Sequence, residues 1–544
     1  MNTVPAFRTD EAENAFLAEI AARNGEIARL GSEITRLNAE AETLRPLKAK
    51  VQELEAQVEA LKTRVCQLER SLYGRKSERE KGEAAEAGEP ELPAGRRRGQ
   101  QPGTRGHGRR RQLNLPTEEV IHDLPEGQRR CPSCGLAYEP TSLEDTSEEI
   151  DFRVTVKRVV HRRPLYRRTC SCSDQPGLVS APAPGKVYPH CPYTPQTIAW
   201  FVLLKHTGIL PLNRIRHLLR LQGLFLARGS MVGMLRQVAI LLAPLYEAFR
   251  ARCRAADRWH ADETGWKIFM PPPGKDSFRW WLWVFAAADV VVFHLNPSRG
   301  AKVLKEFFGL EGPNPSRGIL SCDMFSSYKA VRKFLVAAYC WAHMRRYFRD
   351  AGKNHPEQLA EWSRAWRLRI VSMYRLNKAR LAFSPGSPAF LEADEALRRF
   401  VAQEVEAVWQ AELADAKVYL PAREVLQTMK HHWEGLTLFL GHPELPMDNN
   451  LAERLLRTPV VGRKNFYGHQ AAWSGELSAL IWSIQNTCEL HRLDPLRYLT
   501  EYLTACAAKG GKPLEGPELD RFLPWSMSEE QRQAWAAPGA RDTS

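Results

Sequence analysis

The sequence predicts a multidomain chain of the α plus α/β class: an N-terminal coiled coil, a small zinc-binding β module, helix-turn-helix-like helices, and a mixed α/β core split by a helical insertion. Three observations predict it. A heptad repeat runs near the start, two close cysteine pairs follow, and beyond residue 257 a strand-rich stretch is broken by about a hundred helical residues. At 544 residues, a prior of about 150 residues per domain gives three or four domains. The segments read as a coiled coil over 11–73, a disordered basic linker over 74–115, a zinc-binding module over 116–192 and a helix-turn-helix-like region over 193–256. The core follows over 257–345, its helical insertion over 346–445, the second part of the core over 446–505 and a tail over 506–544.

Ile27, Leu30, Ile34, Leu37, Ala41 and Leu44 recur three and four apart, as do Leu47, Val51, Leu54, Val58, Leu61, Val65, Leu68 and Leu72. A narrow apolar seam kept over about seven heptads is the pattern of a coiled coil. The alternative is a long helix packed within its own chain. The phase slips between Leu44 and Leu47, beside Pro46, which predicts a kink or interruption there, because proline lacks the helical N–H. The expected partner is a second copy, in a homodimer or higher oligomer.

The linker turns basic at Arg96, Arg97, Arg98, Arg105, Arg109, Arg110 and Arg111, seven arginines and no acid in sixteen residues. Such a segment buries no core but neutralises phosphates, and Arg-Gly sequence suits a minor groove. A solvated linker of no specific role is the bland alternative. Cys131-Pro-Ser-Cys134 and Cys170-Ser-Cys172 then flank strand-like sequence, Phe152 to Val160 and Tyr166 to Thr169. Two close pairs fit a tetrahedral Zn²⁺ held by four thiolates, a structural ion stitching a small β module. The second pair is tighter than usual, and His161 or Cys191 is an alternate ligand; unrelated buried thiols are the other reading.

Leu212 to Leu221 is amphipathic and ends at Gln222-Gly223. After a short link Ser230 is placed to cap a second helix through Met234, Leu235 and Val238. Two helices joined by a glycine-containing turn and carrying Arg214, Arg216, Arg220, Arg228 and Arg236 are similar to a DNA-binding helix-turn-helix, although helical linkers share the pattern. The net charge agrees with a polyanion partner: 77 Lys and Arg against 63 Asp and Glu leave +14. Eleven cysteines, seven of them scattered, read as a reducing compartment. No secretory signal opens the sequence, and the longest apolar stretch, Trp280 to Leu295, is broken by Asp289, so the expectation is a cytoplasmic protein, nucleoid-associated when bound to DNA, with no membrane partner.

From Arg258 the texture becomes mixed. Strands are expected over Trp259 to Ile268, Arg279 to Ala287 and Val290 to Leu295, with a turn at Pro271 to Gly274 and Asp289 in a hairpin turn. A helix over Arg299 to Phe308, a strand over Gly318 to Ser321, a helix over Ser327 to Phe334 and a strand over Leu335 to Cys340 follow. Three strands, a helix, a fourth strand, then helix and strand is the order of a ribonuclease-H-like fold. In that order Asp262, mid-strand, and Asp323, after the fourth strand, lie side by side although 61 residues apart. A helical insertion, rich in Arg and Trp, then separates Asp323 from Glu453, which sits on a helix starting near Asp448 or Asn449.

These three acids suggest a nucleic-acid strand-cutting site, since hard oxygen ligands suit two Mg²⁺ or Mn²⁺ ions. Arg454, Arg457, Arg463 and Lys464 flank it as phosphate holders. Each acid has an ordinary counterpart. Alternation sends Glu263 to the opposite face as a solvated or paired carboxylate, Asp448 reads as a cap, and His260 and His343 read as packed or surface histidines.

The chain resembles the bacterial insertion-sequence transposases of the IS-sixty-six family, in the DDE superfamily. The resemblance rests on the zipper-like start, Leu72-Tyr-Gly-Arg-Lys-Ser-Glu-Arg79, the cysteine pairs, Ile209-Leu-Pro-Leu-Asn213, Asp262-Glu-Thr264, Cys340-Trp-Ala-His-Met-Arg-Arg346, Asp448-Asn-Asn-Leu-Ala-Glu-Arg454 and Gly462-Arg-Lys-Asn465. It implies that Asp262, Asp323 and Glu453 are a DDE triad and that Cys340 and His343 are a CxxH element. Met324-Phe325 stands where the family usually has Gly-Tyr, while Tyr328 is kept. The implied reaction frees a 3′-OH at an element end and then joins it to target DNA. The implied partners are the terminal inverted repeats, target DNA and small accessory proteins of the same element. A nuclease that cuts without joining, and a catalytically inactive DNA-binding regulator, are the alternatives.

Overall fold

A computed structural model of the chain describes residues 10–73, 117–139, 147, 150, 155–167, 169–170, 174, 176–270, 277–313 and 315–537. By contacts the chain divides into two units, 1–92 with 345–376 and 399–428, and 93–344 with 377–398 and 429–544. Helix α1 runs unbroken over Asp10–Tyr73 with Pro46 inside it, which corrects the expected interruption. One proline removes one N–H from the ladder; the turns on either side keep theirs, and the helix carries through. The seam residues Ile27, Leu30, Ile34, Leu37, Leu47, Val51, Leu54, Val58 and Leu61 are all exposed.

In the cysteine-bearing module the described chain makes a knuckle. The Cys131 N–H donates to Leu136 O and the Gly135 N–H to Cys131 O, both at 2.8 Å, and Gly135 has a φ of +77°. Strands β1 (Tyr166–Arg167) and β2 (Leu178–Val179) pair antiparallel. Residues 155–160 of the expected strand carry no regular structure; Val156, Val159 and Val160 are exposed there, with no ladder to join.

Helices α2 (Pro195–His206), α3 (Leu212–Leu221) and α4 (Arg228–Arg254) follow. Thr194 caps α2 by accepting the Thr197 N–H. Ser230 caps nothing, because α4 begins two residues earlier behind an extended Ala227 and encloses it. By length and composition α4 is apolar enough to cross a membrane, unlike any stretch singled out above. Met231, Met234, Val238, Leu242, Leu245 and Phe249 bury one face of it, and Tyr246 Oη donates to Phe293 O of the sheet at 2.6 Å.

The sheet is built from β3 (Arg258–Met270), β4 (Arg279–Ala286), β5 (Val291–Asn296), β6 (Ile319–Cys322) and β7 (Val336–Tyr339), in the order β5-β4-β3-β6-β7. The first three form an antiparallel meander, and β6 and β7 run parallel to β3. Between them lie α5 (Ala301–Phe308) and α6 (Ser326–Lys329). The latter is half the expected length, since residues 330–334 continue as turns. Gly318 has a φ of +152°, and a Cβ there would fall 1.9 Å from Asp257 O, so only glycine lets β6 start flush against β3.

The region around 341–441 is helical, as expected: α7 (Trp341–Asn354), α8 (Pro356–Arg380), α9 (Pro388–Phe400), α10 (Ala407–Ala414) and α11 (Leu420–Gly441). In the first unit Phe348 stacks on Trp366 at 4.8 Å, and the Trp362 and Trp366 indoles both donate to Glu412. In the second, buried Arg380 donates to Asp394 and to Phe439 O. The chain then enters α12 (Asn450–Phe466), β8 (His469–Ala471), which pairs with the far end of β3, and α13 (Ala472–Leu490). Ala452 and Leu456 of α12 and Ala479 and Trp482 of α13 close one face of the sheet over Trp266, Leu282, Val284 and Phe293.

Candidate active site

Strand alternation divides β3 into two chemically different faces. Trp259, Ala261 and Glu263 are buried on one; His260, Asp262 and Thr264 lie on the other, which α12 covers farther along. The parallel register pairs His260 with Ser321. Two residues on, the same 61-residue offset sets Asp323 beside Asp262, past the end of β6. Each carboxylate is oriented by its own backbone: Glu263 N–H donates to Asp262 Oδ1 at 2.8 Å, and Phe325 N–H to Asp323 Oδ1 at 2.9 Å.

Glu453 comes in on the first turn of α12, next to buried Ala452. Asn449, almost fully buried, pins the start of that helix to β3. Its side-chain amide donates to Ala261 O at 2.7 Å, its Oδ1 lies 2.9 Å from His260 Nδ1, and its backbone N–H donates to Cys340 Sγ at 3.2 Å. Asn449 occupies the N-cap position without a side-chain cap bond of its own, and Asp448 Oδ1, one residue earlier, accepts the Asn450 N–H. Sequence reasoning took Asn449 for no more than a possible cap; its buried polar contacts leave no trace in local spacing.

The carboxylates lie close enough to feel one another's charge, although among the described residues Asp262, Asp323 and Glu453 are not gathered into a group with all ligand atoms within 4.8 Å. Burial pushes Asp262 up to about 8, with the charge of Glu263 next and those of Asp323 and Glu453 adding, against the Glu263 N–H that pulls it down. Glu453 Oε1 is shielded from water and accepts no hydrogen bond; His343 Nδ1 lies 3.7 Å from it. Hard carboxylate oxygens, one without a hydrogen-bond donor and one pushed towards its protonated form by burial and neighbouring negative charge, are the donor type that suits a hard divalent cation.

Behind the site Glu263 is fully buried and paired, not solvated. It accepts from Arg299 Nε at 2.8 Å and Tyr328 Oη at 2.6 Å. Burial, then the charge of Asp323, raises it to about 7 against the pull of those two donors. The Arg299 guanidinium lies over the Phe325 ring at 3.6 Å, and Ser327 Oγ donates to Arg299 O at 2.7 Å. The loop carrying Asp323 is thus braced by three of the five residues that follow it.

The other expected residues fall in several places. Cys340 and His343 join Glu453 in a group whose ligand atoms all lie within 4.8 Å of one another. Cys131 and Cys134 share the knuckle, where backbone N–H groups of Ser133 and Cys134 draw the Cys131 thiol down to about 7. Cys170 is exposed and is not gathered with them into a three-ligand group among the described residues; Cys172 lies outside those residues. Arg96, Arg97, Arg98, Arg109, Arg110 and Arg111 lie outside them too, as does the turn at 271–274. Arg214, Arg228, Arg236, Arg454 and Lys464 are exposed. Arg214 donates to Asn465 at 3.2 Å and Arg236 lies over the Trp473 ring. Arg463, half-buried, donates to Thr264 Oγ1 and Gly265 O, tying α12 to β3.

Residues 190–477 match the family described as Transposase IS66 family. Three proteins of Sinorhizobium fredii (strain NBRC 101917 / NGR234), each described as uncharacterized, are similar over most of their length. Protein y4qI is 27% identical over 408 residues, 71% of this chain and 71% of its own. Protein y4jD is 27% identical over 442 residues, 77% and 81%, and protein y4hP is 23% identical over 447 residues, 76% and 75%.

Proposed function

The chain belongs to the transposase IS66 family, and on that premise we propose that it is a DDE-type enzyme of a bacterial insertion sequence. It binds the element's terminal inverted repeats, cuts at them, and transfers the freed strand to target DNA, with Asp262, Asp323 and Glu453 as the catalytic acids of a ribonuclease-H-like core. The observation that carries this reading is the register of β3 on β6, which sets two aspartates side by side under the helix that brings Glu453.

Asp262, Asp323 and Glu453 would hold two Mg²⁺ or Mn²⁺ ions, which would supply Lewis acidity towards water and the 3′ oxygen. The protein's own part is positioning. Asn449 fixes the helix start, so Glu453 reaches the two aspartates without a search. The Glu263, Arg299 and Tyr328 brace holds the Asp323 loop from behind. Exposed Arg454 and Lys464 face solvent where a phosphate backbone approaches.

Binding of the repeats falls to the basic linker over 74–115 and the helix-turn-helix-like region over 193–256, including Arg214, Arg228 and Arg236. The exposed seam of α1 pairs two copies and so brings two element ends together. Cys131, Cys134, Cys170 and Cys172 hold a structural Zn²⁺ in the module over 116–192. The domain boundaries are those of the sequence reading, with the insertion over 346–445 and the core resuming over 446–505.

The test is incubation of the full chain with a labelled DNA fragment carrying the element's own end, in Mg²⁺ or Mn²⁺ and in EDTA, beside Asp262→Ala. Metal-dependent nicking with a joined product, both lost in the variant, is the expected result. Cutting without joining reduces the reading to a nuclease. Binding without cutting in either metal overturns the catalytic assignment and favours a DNA-binding regulator.

A further inference from the structure

We propose that Cys340, His343 and Glu453 form a second metal site, selective for Zn²⁺ or another thiolate-binding transition ion, which competes with the catalytic ions for Glu453. The binding half stands on geometry alone; the competing half rests on the reading of Glu453 as a catalytic acid.

The three donors converge where the first turns of two helices meet. Cys340 immediately precedes α7, His343 lies in its first turn, and Glu453 lies in the first turn of α12. Their ligand atoms all fall within 4.8 Å of one another, and His343 Nδ1 is 3.7 Å from Glu453 Oε1. A tetrahedral zinc ion, with bonds near 2.3 Å to sulfur and near 2.0 Å to nitrogen or oxygen, sets neighbouring donors roughly 3.3–3.6 Å apart. The donors therefore stand within an ångström or so of the separations that an ion would set. Three protein ligands with a fourth position left for water or another ligand is an ordinary zinc arrangement.

Backbone donors already face the sulfur. Burial pushes the metal-free Cys340 thiol up to about 11, while the Asn449 N–H, 3.2 Å from Sγ, and the backbone N–H groups of His343 and Ala342 pull it back. Backbone donors of this kind steady a thiolate once a metal has displaced its proton. Glu453 Oε1 is the buried oxygen without a hydrogen-bond donor, so an ion here satisfies an atom the protein alone leaves unsatisfied. Ligand softness separates the two sites. Thiolate and imidazole select zinc-like ions, whereas Asp262 and Asp323 offer oxygen alone and suit Mg²⁺. Glu453 stands between them. When zinc holds it beside Cys340, the two aspartates lose their third partner and cleavage stops.

The full chain, stripped with EDTA, would be titrated with Co²⁺ as a spectroscopic stand-in for zinc, and its Zn²⁺ stoichiometry measured by dialysis. Wild type would be compared with Cys340→Ser, His343→Ala and, as a control for the knuckle, Cys131→Ser. Serine keeps the backbone N–H contacts at 340, and the alanine variant gives an independent reading should Cys340→Ser fold poorly. Cys340→Ser and His343→Ala are each expected to lose one equivalent. Cys340→Ser should also lose the matching share of thiolate-to-cobalt absorption, and Cys131→Ser should keep that equivalent. Losing a direct ligand should weaken zinc by at least the roughly 10–100-fold that losing a supporting contact costs. Zinc inhibition of Mg²⁺-dependent nicking, each protein measured against its own zinc-free rate, should then need at least ten times more zinc in either variant. Equal stoichiometry in wild type and both variants overturns the site. An unchanged equivalent loss with equal zinc sensitivity overturns only the competition. Should no protein nick DNA in any metal, the catalytic reading fails while the cobalt titration still decides the site.

Discussion

Replacing Asp262 with asparagine is expected to stabilise the metal-free protein, by an amount that grows with pH. The carboxyl holds its proton to about 8 against an ordinary 3.8, so between those values the folded chain binds a proton that the unfolded chain has released. Stability must therefore fall as pH rises through that window and level off above 8. At about 1.4 kcal/mol per pH unit the deficit at neutral pH reaches about 4 kcal/mol, and partial solvent access lowers it to roughly 2–4 kcal/mol. Asparagine carries no charge to bury, keeps the oxygen that accepts the Glu263 N–H, and escapes the deficit. For a cooperative unit of 150–250 residues that is a rise in Tm of about 4–16 °C near neutrality, shrinking towards nothing below pH 4. Thermal scans in EDTA at pH 4, 7 and 8.5 read the difference. Excess Mg²⁺ should raise wild type more than the variant and narrow the gap, because the ion supplies the missing positive charge. A variant less stable than wild type, or a gap that ignores pH, would refute the account of Asp262 as an uncompensated buried carboxyl.

Glu263→Ala leaves Arg299 and Tyr328 facing an empty pocket and should cost about 3 kcal/mol while loosening the Asp323 loop; denaturant unfolding and the nicking rate should fall together. Asn449→Ala removes both of that residue's side-chain contacts to β3, with His260 and Ala261 O, at a cost of roughly 2–3 kcal/mol, and should lower the cleavage rate while leaving DNA affinity by gel shift unchanged. Leu30→Glu with Leu54→Glu puts charge into the α1 seam, and sedimentation should show wild type as a dimer or larger and the double variant as a monomer. Gly318→Ala forces a Cβ onto Asp257 O and should give mostly insoluble protein on expression, which fractionation reads directly.

Much of the core was legible because strand order follows from local pattern. The five strand signals of the α/β stretch appear where alternation and turn residues put them, and a constant offset of 61 along two parallel strands is enough to make Asp262 and Asp323 neighbours. The opposite-face placement of Glu263 followed from the same alternation, though its burial against Arg299 did not, since its partner lies 36 residues on. The junction of Cys340, Asn449 and Glu453 was out of reach for a different reason. It depends on two helices starting at one point in space from places 109 residues apart, and nothing local encodes that. Ser230 misled because a good capping residue two positions inside a helix looks the same as one at its start. Of the two outcomes expected at Pro46, interruption is ruled out because one lost N–H is outweighed by the sixty-odd helical residues around it.

The covering of the sheet also sets an order in time. One face of β3, β4 and β5 stays bare until Ala452, Leu456, Ala479 and Trp482 arrive, and Glu453 arrives within that same stretch. During synthesis at about 5–20 residues per second, the ribosome therefore carries both aspartates for many seconds before the segment that completes the core emerges. Nascent or truncated chains display an unfinished sheet and two of the three proposed acids together. Burying the apolar face and delivering the last carboxylate belong to the same stretch of chain, so a chain that has not finished folding lacks the complete set of proposed acids.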